Sequence, residues 1–469
     1  MRVMLVSPPF DEALSVGGTR SMKYVLNTIA PLGLGYLAAV AEREGHEVRI
    51  VDCSLGMSLR QLCDKAVAFD ANVLGITCTT PSFVSARTAA RALREAAPDA
   101  RIVIGGAHVT AAPVETMARG DFDVGVVGEG EETFAELLRV WGEDWHADLS
   151  DVAGLALGGE DGPRLTPRRA QIQNVDSIPY PARHLLPRLS QYHPTPASYR
   201  KLPLGVIMTS RGCPSKCTFC DRAVFGSTYR ARSVDNVMGE VEELIRHGGA
   251  REIRFFDDTF TQKRSRVFEM CERLARWNVP WTCLTKAAAV TPEMLKAMRR
   301  AGCWQVLYGL ESGDDEMLKR LKKGNTVEIN TRAVRWAQEA GLSVRGDFIV
   351  GTPGETPESF ERTVRFALDM GLDYAHFNKF VPFPGTELYE QLCAQGYEFD
   401  FETACSILDH AALLYVPESM TAEQYRELLD DAFRRFYLRP SYMLKRLFQI
   451  RTIDMAVGQF LGFLALVGV

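Results

Sequence analysis

Two periodicities alternate along the first part of the chain. Short apolar runs (RVMLVSPP, HEVRIVDC, NVLGITCTT, RIVIGGAHVT and VGVVGEG) are each followed by a stretch with apolar residues at helical spacing, such as PLGLGYLAAVAEREG, FVSARTAARALREA or EETFAELLRVW. Strands alternating with helices predict a parallel sheet covered on both faces. Residues 1–141 are therefore expected to form an α/β, doubly wound domain of five strands. Residues 142–203 break the alternation: GGEDGPRLTP reads as a hairpin turn and IPYPARHLLP as an extended connector. A second βα series spans 204–395, with strands in LGVIMTS, REIRFFDD, WTCLTKA, WQVLYGLES, VRGDFIVGTPG and DYAHFNKFVPFPG. Six units are too few to close an eightfold barrel, so an open, partial (β/α)6 barrel is expected. Residues 396–469 read as a helical C-terminal tail, and the chain shows no internal repeat.

Composition changes this picture little. With 46% hydrophobic and 24% charged residues and a formal net charge of -5, nothing draws the chain toward nucleic acid. Eleven cysteines, an odd number, and a start without an apolar leader point to a reducing, cytoplasmic setting. The apolar segment 453–469 is short and carries Asp454 and Gln459, which predicts a packed or surface-lying helix rather than a span. Just before it, Arg434, Arg435, Arg439, Lys445, Arg446 and Arg451 lie among aromatics and leucines. A solvated helix face is the preferred reading of that run, with peripheral membrane contact or an anionic lipid-like substrate as the other.

In open α/β sheets ligands bind beyond the carboxyl ends of the strands. The segments there are Ser7-Pro8-Pro9, Thr79-Thr80-Pro81-Ser82, Gly105-Gly106-Ala107-His108 and Gly128-Glu129-Gly130-Glu131. Each alone could be a tight turn, whereas four small, polar loops along one edge describe a face for a large ligand.

The stretch SRGCPSKCTFCD, following the first strand of the second series, holds Cys213, Cys217 and Cys220 with no fourth cysteine nearby. Structural zinc usually closes with four ligands. An iron–sulfur cube takes one cysteine per iron, so three thiolates leave one position open. C-x-x-x-C-x-x-C directly after a strand, with Phe219 before the third cysteine, resembles the signature of the radical S-adenosylmethionine (SAM) enzymes. That resemblance implies a 4Fe–4S cluster whose open iron is chelated by SAM, an external electron donor (flavodoxin or ferredoxin), and a 5′-deoxyadenosyl radical that abstracts hydrogen from an unactivated carbon. It also implies SAM contacts at Phe219, at Asp257 and Asp258 in FFDDTF for the amino group, at Glu311 and Ser312 in GLESG for the ribose, and at Val350 and Gly351 in DFIVGTPGET for adenine. Singly these residues could be a helix cap, a surface acid or turn formers. Together they recur at successive strand ends.

The N-terminal runs PLGLGYLAAVAEREGHEVRIVD, GGAHVTAAP and GEGEETFAELL resemble the flavodoxin-like domain of the cobalamin-binding branch of that family, which includes carbon and phosphorus methylases and the anaerobic magnesium-protoporphyrin ester cyclase. The resemblance implies cobalamin contacts at Ser7, Pro8, Thr79, Thr80, Ser82, Gly105, Gly106, His108, Gly128, Glu129 and Gly130. No D-x-H-x-x-G stretch is present, so His108 is not assigned to cobalt. Cys53, Cys63 and Cys78 raise the rival of a methylthiotransferase with a second cluster, but Cys63 falls in a helical stretch and the other two end different strands. Cys271, Cys283, Cys303, Cys393 and Cys405 read as core residues.

The expected function is thus methylation of an unactivated carbon on a small-molecule or lipid-like substrate. Ring formation or oxidation without methyl transfer is the alternative within enzymes, and a non-catalytic corrinoid-binding iron–sulfur protein the alternative outside them. No residue of the sequence is singled out as the hydrogen-transfer partner.

Overall fold

A computed structural model describes residues 1–9, 28–159, 161–195, 198–401, 412–449 and 460. The segment 453–469 apart from residue 460, together with Arg451 and Cys405, lies outside the described residues, and Lys445 and Arg446 are described in backbone only.

The five expected strands of the first series are β1 (Arg2–Ser7), β2 (Glu47–Asp52), β3 (Val73–Thr77), β4 (Arg101–Gly105) and β5 (Val124–Val126). All pair in parallel in the order β2-β1-β3-β4-β5. The hairpin predicted around GGEDGPRLTP forms as β6 (Leu155–Leu157) and β7 (Arg164–Leu165), and it extends this sheet antiparallel from β5. The sheet therefore has seven strands rather than the expected five. Helices Leu32–Arg43 and Gly130–Glu143 bury Leu34, Ala38, Leu137 and Leu138 on one face. Helices Leu59–Phe69 and Phe83–Ala96 bury Leu62, Ala66, Ala86 and Leu93 on the other. Cys53 and Cys78 are buried in that second core and Cys63 packs against it, so these cysteines fill space between helix and sheet.

The second series gives a six-stranded, all-parallel sheet in the order β15-β14-β13-β12-β11-β8. Its strands are β8 (Leu204–Ile207), β11 (Glu252–Phe255), β12 (Trp281–Thr285), β13 (Cys303–Glu311), β14 (Ser343–Val350) and β15 (Tyr374–Lys379). Between the first two, β9 (Ser210–Arg211) and β10 (Arg230–Ala231) pair antiparallel as a separate ribbon. The large core lies between the outer face of this sheet and its helices, and includes Phe255, Phe260, Trp281, Cys271, Cys283, Cys303, Phe348 and Phe377.

In the C-terminal tail, helix Ala422–Tyr437 starts at a Thr421 capping box and buries Tyr425, Leu429, Ala432 and Phe436 in the same core. Two of the basic tail residues turn onto the protein. Arg435 pairs with Glu361 at 2.6 Å, and Arg439 Nε donates to the Phe436 carbonyl at 2.9 Å. Among the described residues no helix is long and apolar enough to cross a membrane.

The connector straps the two sheets together. Ala182 N–H donates to the Gly35 carbonyl (2.9 Å), Tyr192 Oη to Asp52 (3.0 Å), Arg183 to the Val206 carbonyl (2.7 Å) and Tyr180 Oη to the Asn236 carbonyl (2.6 Å).

Candidate functional site

The cysteines sit on the loop between β9 and β10, a hairpin that backbone bonds hold in shape. Gly212 has φ +80°, and a Cβ there would fall against the carbonyl oxygen of Thr228, so only glycine permits the turn into Cys213. Cys213 N–H donates to the Gly226 carbonyl at 3.3 Å. Thr218 anchors the loop tip to two distant segments, its N–H donating to the Leu321 carbonyl (3.0 Å) while its own carbonyl accepts from Leu388 N–H (2.9 Å). Cys217 is buried, Cys213 half-buried and Cys220 exposed. The protein packed around them raises both the Cys217 and the Cys220 thiols, the latter to about 12 although it still reaches solvent, and the neighbouring thiols add to it. The charges of Lys323 and Lys286 oppose the shift at Cys217. Among the described residues no three His, Cys, Asp or Glu converge as they would around a single metal ion. Three thiols in electrostatic reach of one another, backed by two cations, suit a larger anionic group that brings its own bridging atoms.

The two carboxylates of FFDDTF are not equivalent. Asp257 is fully buried and accepts from Thr209 N–H (2.5 Å), Thr209 Oγ1 (2.5 Å) and Ser210 N–H (2.9 Å), so it holds the entry to the cysteine hairpin. Asp257, expected to take a ligand ammonium, commits three of its acceptor sites inside the fold. Asp258 reaches solvent, while the protein packed around it and the charge of Asp257 push its carboxyl upward. Its own charge reaches the Cys220 thiol.

At the end of β13, Glu311 adopts φ +62°, unusual for a residue with a side chain, and the β13–β14 register shifts between Gly309 and Glu311. The conformation turns its carboxylate to Lys323, 2.5 Å away, and both side chains are nearly buried. Gly309 makes room for the pair, since a Cβ there would press on Glu311 Oε1 and Lys323 Nζ. Lys323 Nζ also stands 5.7 Å from the centroid of the Phe219 ring, which ties the pair to the cysteine loop.

Ser312 is buried, its hydroxyl sharing a 3.1 Å bond with Thr363 and accepting from Asp314 N–H at 3.1 Å. The Val350 carbonyl accepts from Tyr425 Oη (2.6 Å) and Phe380 N–H (2.7 Å), and Gly351 N–H donates to Glu355. At these expected SAM contacts the Ser312 hydroxyl, the Val350 carbonyl and the Gly351 N–H are thus bonded within the fold, and Val350 ties the end of β14 to the tail helix.

On the first sheet, the loops after β3 and β4 interlock. Gly106, at φ +113°, lets the second lie against the Cys78 backbone. Its neighbour Gly105 accepts from Cys78 N–H at 2.7 Å. His108 is buried, with Nδ1 3.1 Å from Thr80 Oγ1 and its ring 4.1 Å from Phe83. Burial lowers it to about 4, leaving the imidazole neutral. Ser82 caps the turn, its Oγ accepting from Thr79 N–H at 2.9 Å, while Thr79 is exposed. Ser7 ends β1 half-buried and Pro8 is buried behind it. Gly128, at φ +86°, donates its N–H to Thr110 Oγ1 (3.0 Å), and Gly130 opens helix Gly130–Glu143.

Glu129, an expected cobalamin contact, is tied down within the fold. It is buried, with Oε1 accepting from Arg211 (2.8 Å) and Oε2 from Arg230 (2.7 Å) and Ile172 N–H (3.0 Å). Glu131 takes the other arm of Arg211. The loop after β5 is in this way bolted to both strands of the cysteine ribbon. Sequence reasoning did not find Arg211, Arg230 or Lys323, because no local periodicity marks a partner 80 or more residues away for the first two, and Lys323 reads as one of several surface lysines.

Between these elements lies a cleft of 590 Å³, walled by Val127 and Glu129 after β5, by residues 168–172, by the cysteine hairpin including Cys217 and Cys220, and by Gly385 and Glu387. It joins the loop after β5 of the first sheet to the thiols of Cys217 and Cys220.

Comparison with known proteins agrees with this arrangement. Residues 207–367 match the family model described as the radical SAM superfamily, and residues 22–138 match that of the B12 binding domain. The chain is 35% identical to the uncharacterized methyltransferase PH0819 of Pyrococcus horikoshii, over 96% of this chain and 95% of that one. It is 28% identical to the anaerobic magnesium-protoporphyrin IX monomethyl ester cyclase of Cereibacter sphaeroides, over 94% of this chain and 71% of the other. The radical SAM methyltransferase TsrM of Kitasatospora setae shares the fold with a TM-score of 0.71 at 20% identity, over 94% and 90% of the two chains.

Two outcomes follow from the buried groups. Glu129→Ala strands two guanidiniums short of a partner and is expected to cost about 3–5 kcal/mol in chemical denaturation. Burial raises Glu355 from 4.5 to about 8, against the opposing bonds from Gly351 and Thr352. Its folded-state value lies above its unfolded one, so its contribution to stability is complete below pH 4.5 and is lost as the pH rises through about 8. Glu355→Gln should flatten that fall, and denaturation midpoints of the two proteins across the range measure it.

Proposed function

The chain belongs to the radical SAM superfamily, in the branch that carries a B12-binding domain, and from that premise we propose that it methylates an unactivated carbon of a small organic molecule. The cofactors of this branch are a 4Fe–4S cluster, SAM and cobalamin. When bound they supply a low-potential electron, a source of a carbon-centred radical and a transferable methyl group. The observation that carries the reading is the cleft: one space reaches both the loop after β5 of the first sheet and the thiols of Cys217 and Cys220.

The residues fit those groups in kind. Cys213, Cys217 and Cys220 would hold the cluster, with Lys323 and Lys286 offsetting its negative charge. Asp258, exposed and beside Cys220, is the carboxylate we assign to the SAM ammonium in place of Asp257. Glu311 keeps an oxygen beyond its bond to Lys323 that would take ribose hydroxyls. Thr79, Gly106, Gly128 and Ser7 line the edge proposed for the corrinoid. Phe219 and Leu321, packed in one apolar cluster with Phe380 and Leu388, keep water from one side of the cysteine loop.

A second reading, ring formation or oxidation without methyl transfer, is favoured by the similarity to the ester cyclase. Product mass separates them: a gain of one methyl group marks the first and a loss of hydrogens the second.

The primary test is anaerobic. Protein reconstituted with iron, sulfide and cobalamin, reduced and given SAM, should form 5′-deoxyadenosine, and Cys213→Ala should abolish it together with the cluster absorbance. No 5′-deoxyadenosine from cluster-loaded wild type, with or without candidate substrates, would sink the proposal. Asp258→Asn should weaken SAM binding about tenfold, the worth of one charge-assisted hydrogen bond, at unchanged stability. Asp257→Asn should instead lower stability by about 1–3 kcal/mol, because a buried acceptor of three donors is disturbed.

A further inference from the structure

The second sheet is an open trough, and its concave side is polar. Along β14 and β15 burial alternates: Val344, Phe348, Ala375 and Phe377 are buried under the helices, while Arg345, Asp347, His376 and Asn378 on the opposite side stay partly exposed. Closed barrels fill that interior with branched aliphatic residues. Arg254 of β11 joins the polar side, only 8% exposed.

Arg254 is poorly matched where it lies. Its Nη1 is buried without a hydrogen-bond partner among the described residues, and the Phe256 ring, 5.0 Å away, offers only its face. The nearby carboxylates of Asp347 and Glu252 favour its charge but make no bond to it. Asp347 Oδ1 accepts from Arg345 Nε at 2.9 Å. Glu252 accepts from the backbone N–H of Arg200 and Lys201, each at 2.7 Å, and from Trp304 Nε1 at 2.8 Å. Arg345 Nη2 donates to His376 Nδ1 at 3.0 Å, which leaves the Nε2–H of a neutral imidazole as a further donor. Burial and the positive field of Arg345 lower Arg254 to about 10, against the opposing fields of Asp347 and Glu252, so it remains a cation at neutral pH. A guanidinium held like this is expensive unless an anion meets it.

We propose that Arg254, with Arg345 and His376, forms an oxyanion subsite in the barrel trough, so that the substrate is an acid whose carboxylate or phosphate group enters the trough. The planar fork of arginine suits either group. Arg254 lies within β11, four residues before Asp258, which follows the strand's carboxyl end. A substrate anchored there by its oxyanion would present its remaining carbon atoms to the cleft. The identification of the ligand as substrate rests on the function proposed above, whereas the anion site itself does not.

The test is thermal unfolding of the reconstituted, full-length protein under anaerobic conditions, in inorganic phosphate or in acetate, each against chloride at matched ionic strength. At least one oxyanion should raise the wild-type Tm by about 2 °C or more. Arg254→Met should remove that rise while its Tm in chloride equals or exceeds the wild type's, since an unmatched buried charge has gone. Arg254→Lys, which keeps the charge and loses the fork, should show a reduced rise and serves if the methionine variant does not fold. Arg276→Met, on an exposed side chain, should leave the rise intact. The preferred anion names the substrate group. No rise in wild type with either anion, or a full rise in both Arg254 variants, overturns the proposal. Absence of 5′-deoxyadenosine in the separate assay would overturn the enzymatic reading without touching this one.

Discussion

The cluster of Glu129, Glu131, Arg211 and Arg230 is the constraint on which the site's geometry depends. Side-chain exposures of 4%, 9%, 4% and 3% mean that the charges have lost most of their water. Such a cluster is tolerable only when every partner is in place, because removing one leaves another charge uncompensated. Arg211 is also gripped between the rings of Tyr36, at 5.5 Å, and Phe225, at 5.0 Å. Arg211 directly precedes Gly212 and Cys213, and Arg230 closes the same hairpin. The thiols are accordingly registered against the loop after β5 through short, directional bonds rather than through a deformable apolar contact. A cleft between two sheets with this bolt across it has one shape.

A second buried pair repeats the principle on the barrel side. Lys323 and Glu311 are held together by a left-handed backbone at Glu311 and by the missing Cβ at Gly309, local features that persist only because the surrounding structure requires them. The field of Lys323 reaches Cys217 and Cys220, and Thr218 is bonded to the Leu321 carbonyl two residues before that lysine. Loop, ion pair and strand end therefore move together or not at all. The tail helix completes the enclosure, since Tyr425 caps the end of β14 by donating to the Val350 carbonyl.

Burial also explains why carboxylates of similar sequence context do different work. Asp257 and Asp258 are adjacent in the loop after β11, yet one turns inward to three donors and the other is exposed. Strand alternation on β14 and β15 divides aliphatic from charged residues and creates the polar trough.

The sequence alone determined the order and type of the elements, because hydrophobic periodicity is a local property: all eleven expected parallel strands form, and the cysteines stand where a strand meets a loop. It also marked the strand ends as the ligand edge, since the parallel α/β plan dictates that. What it left undecided was the employment of each polar group there. Asp257, Glu129, Ser312 and Val350 have residue types suited to a ligand, and each also holds a hydrogen-bond partner tens of residues away in the chain. The hairpin at β6 and β7 was legible as a turn, but not as an extension of the first sheet. Tertiary structure decided these points because a donor or acceptor buried on folding must be satisfied by whatever lies beside it in space, and spatial neighbours tens of residues apart leave no local pattern in the chain.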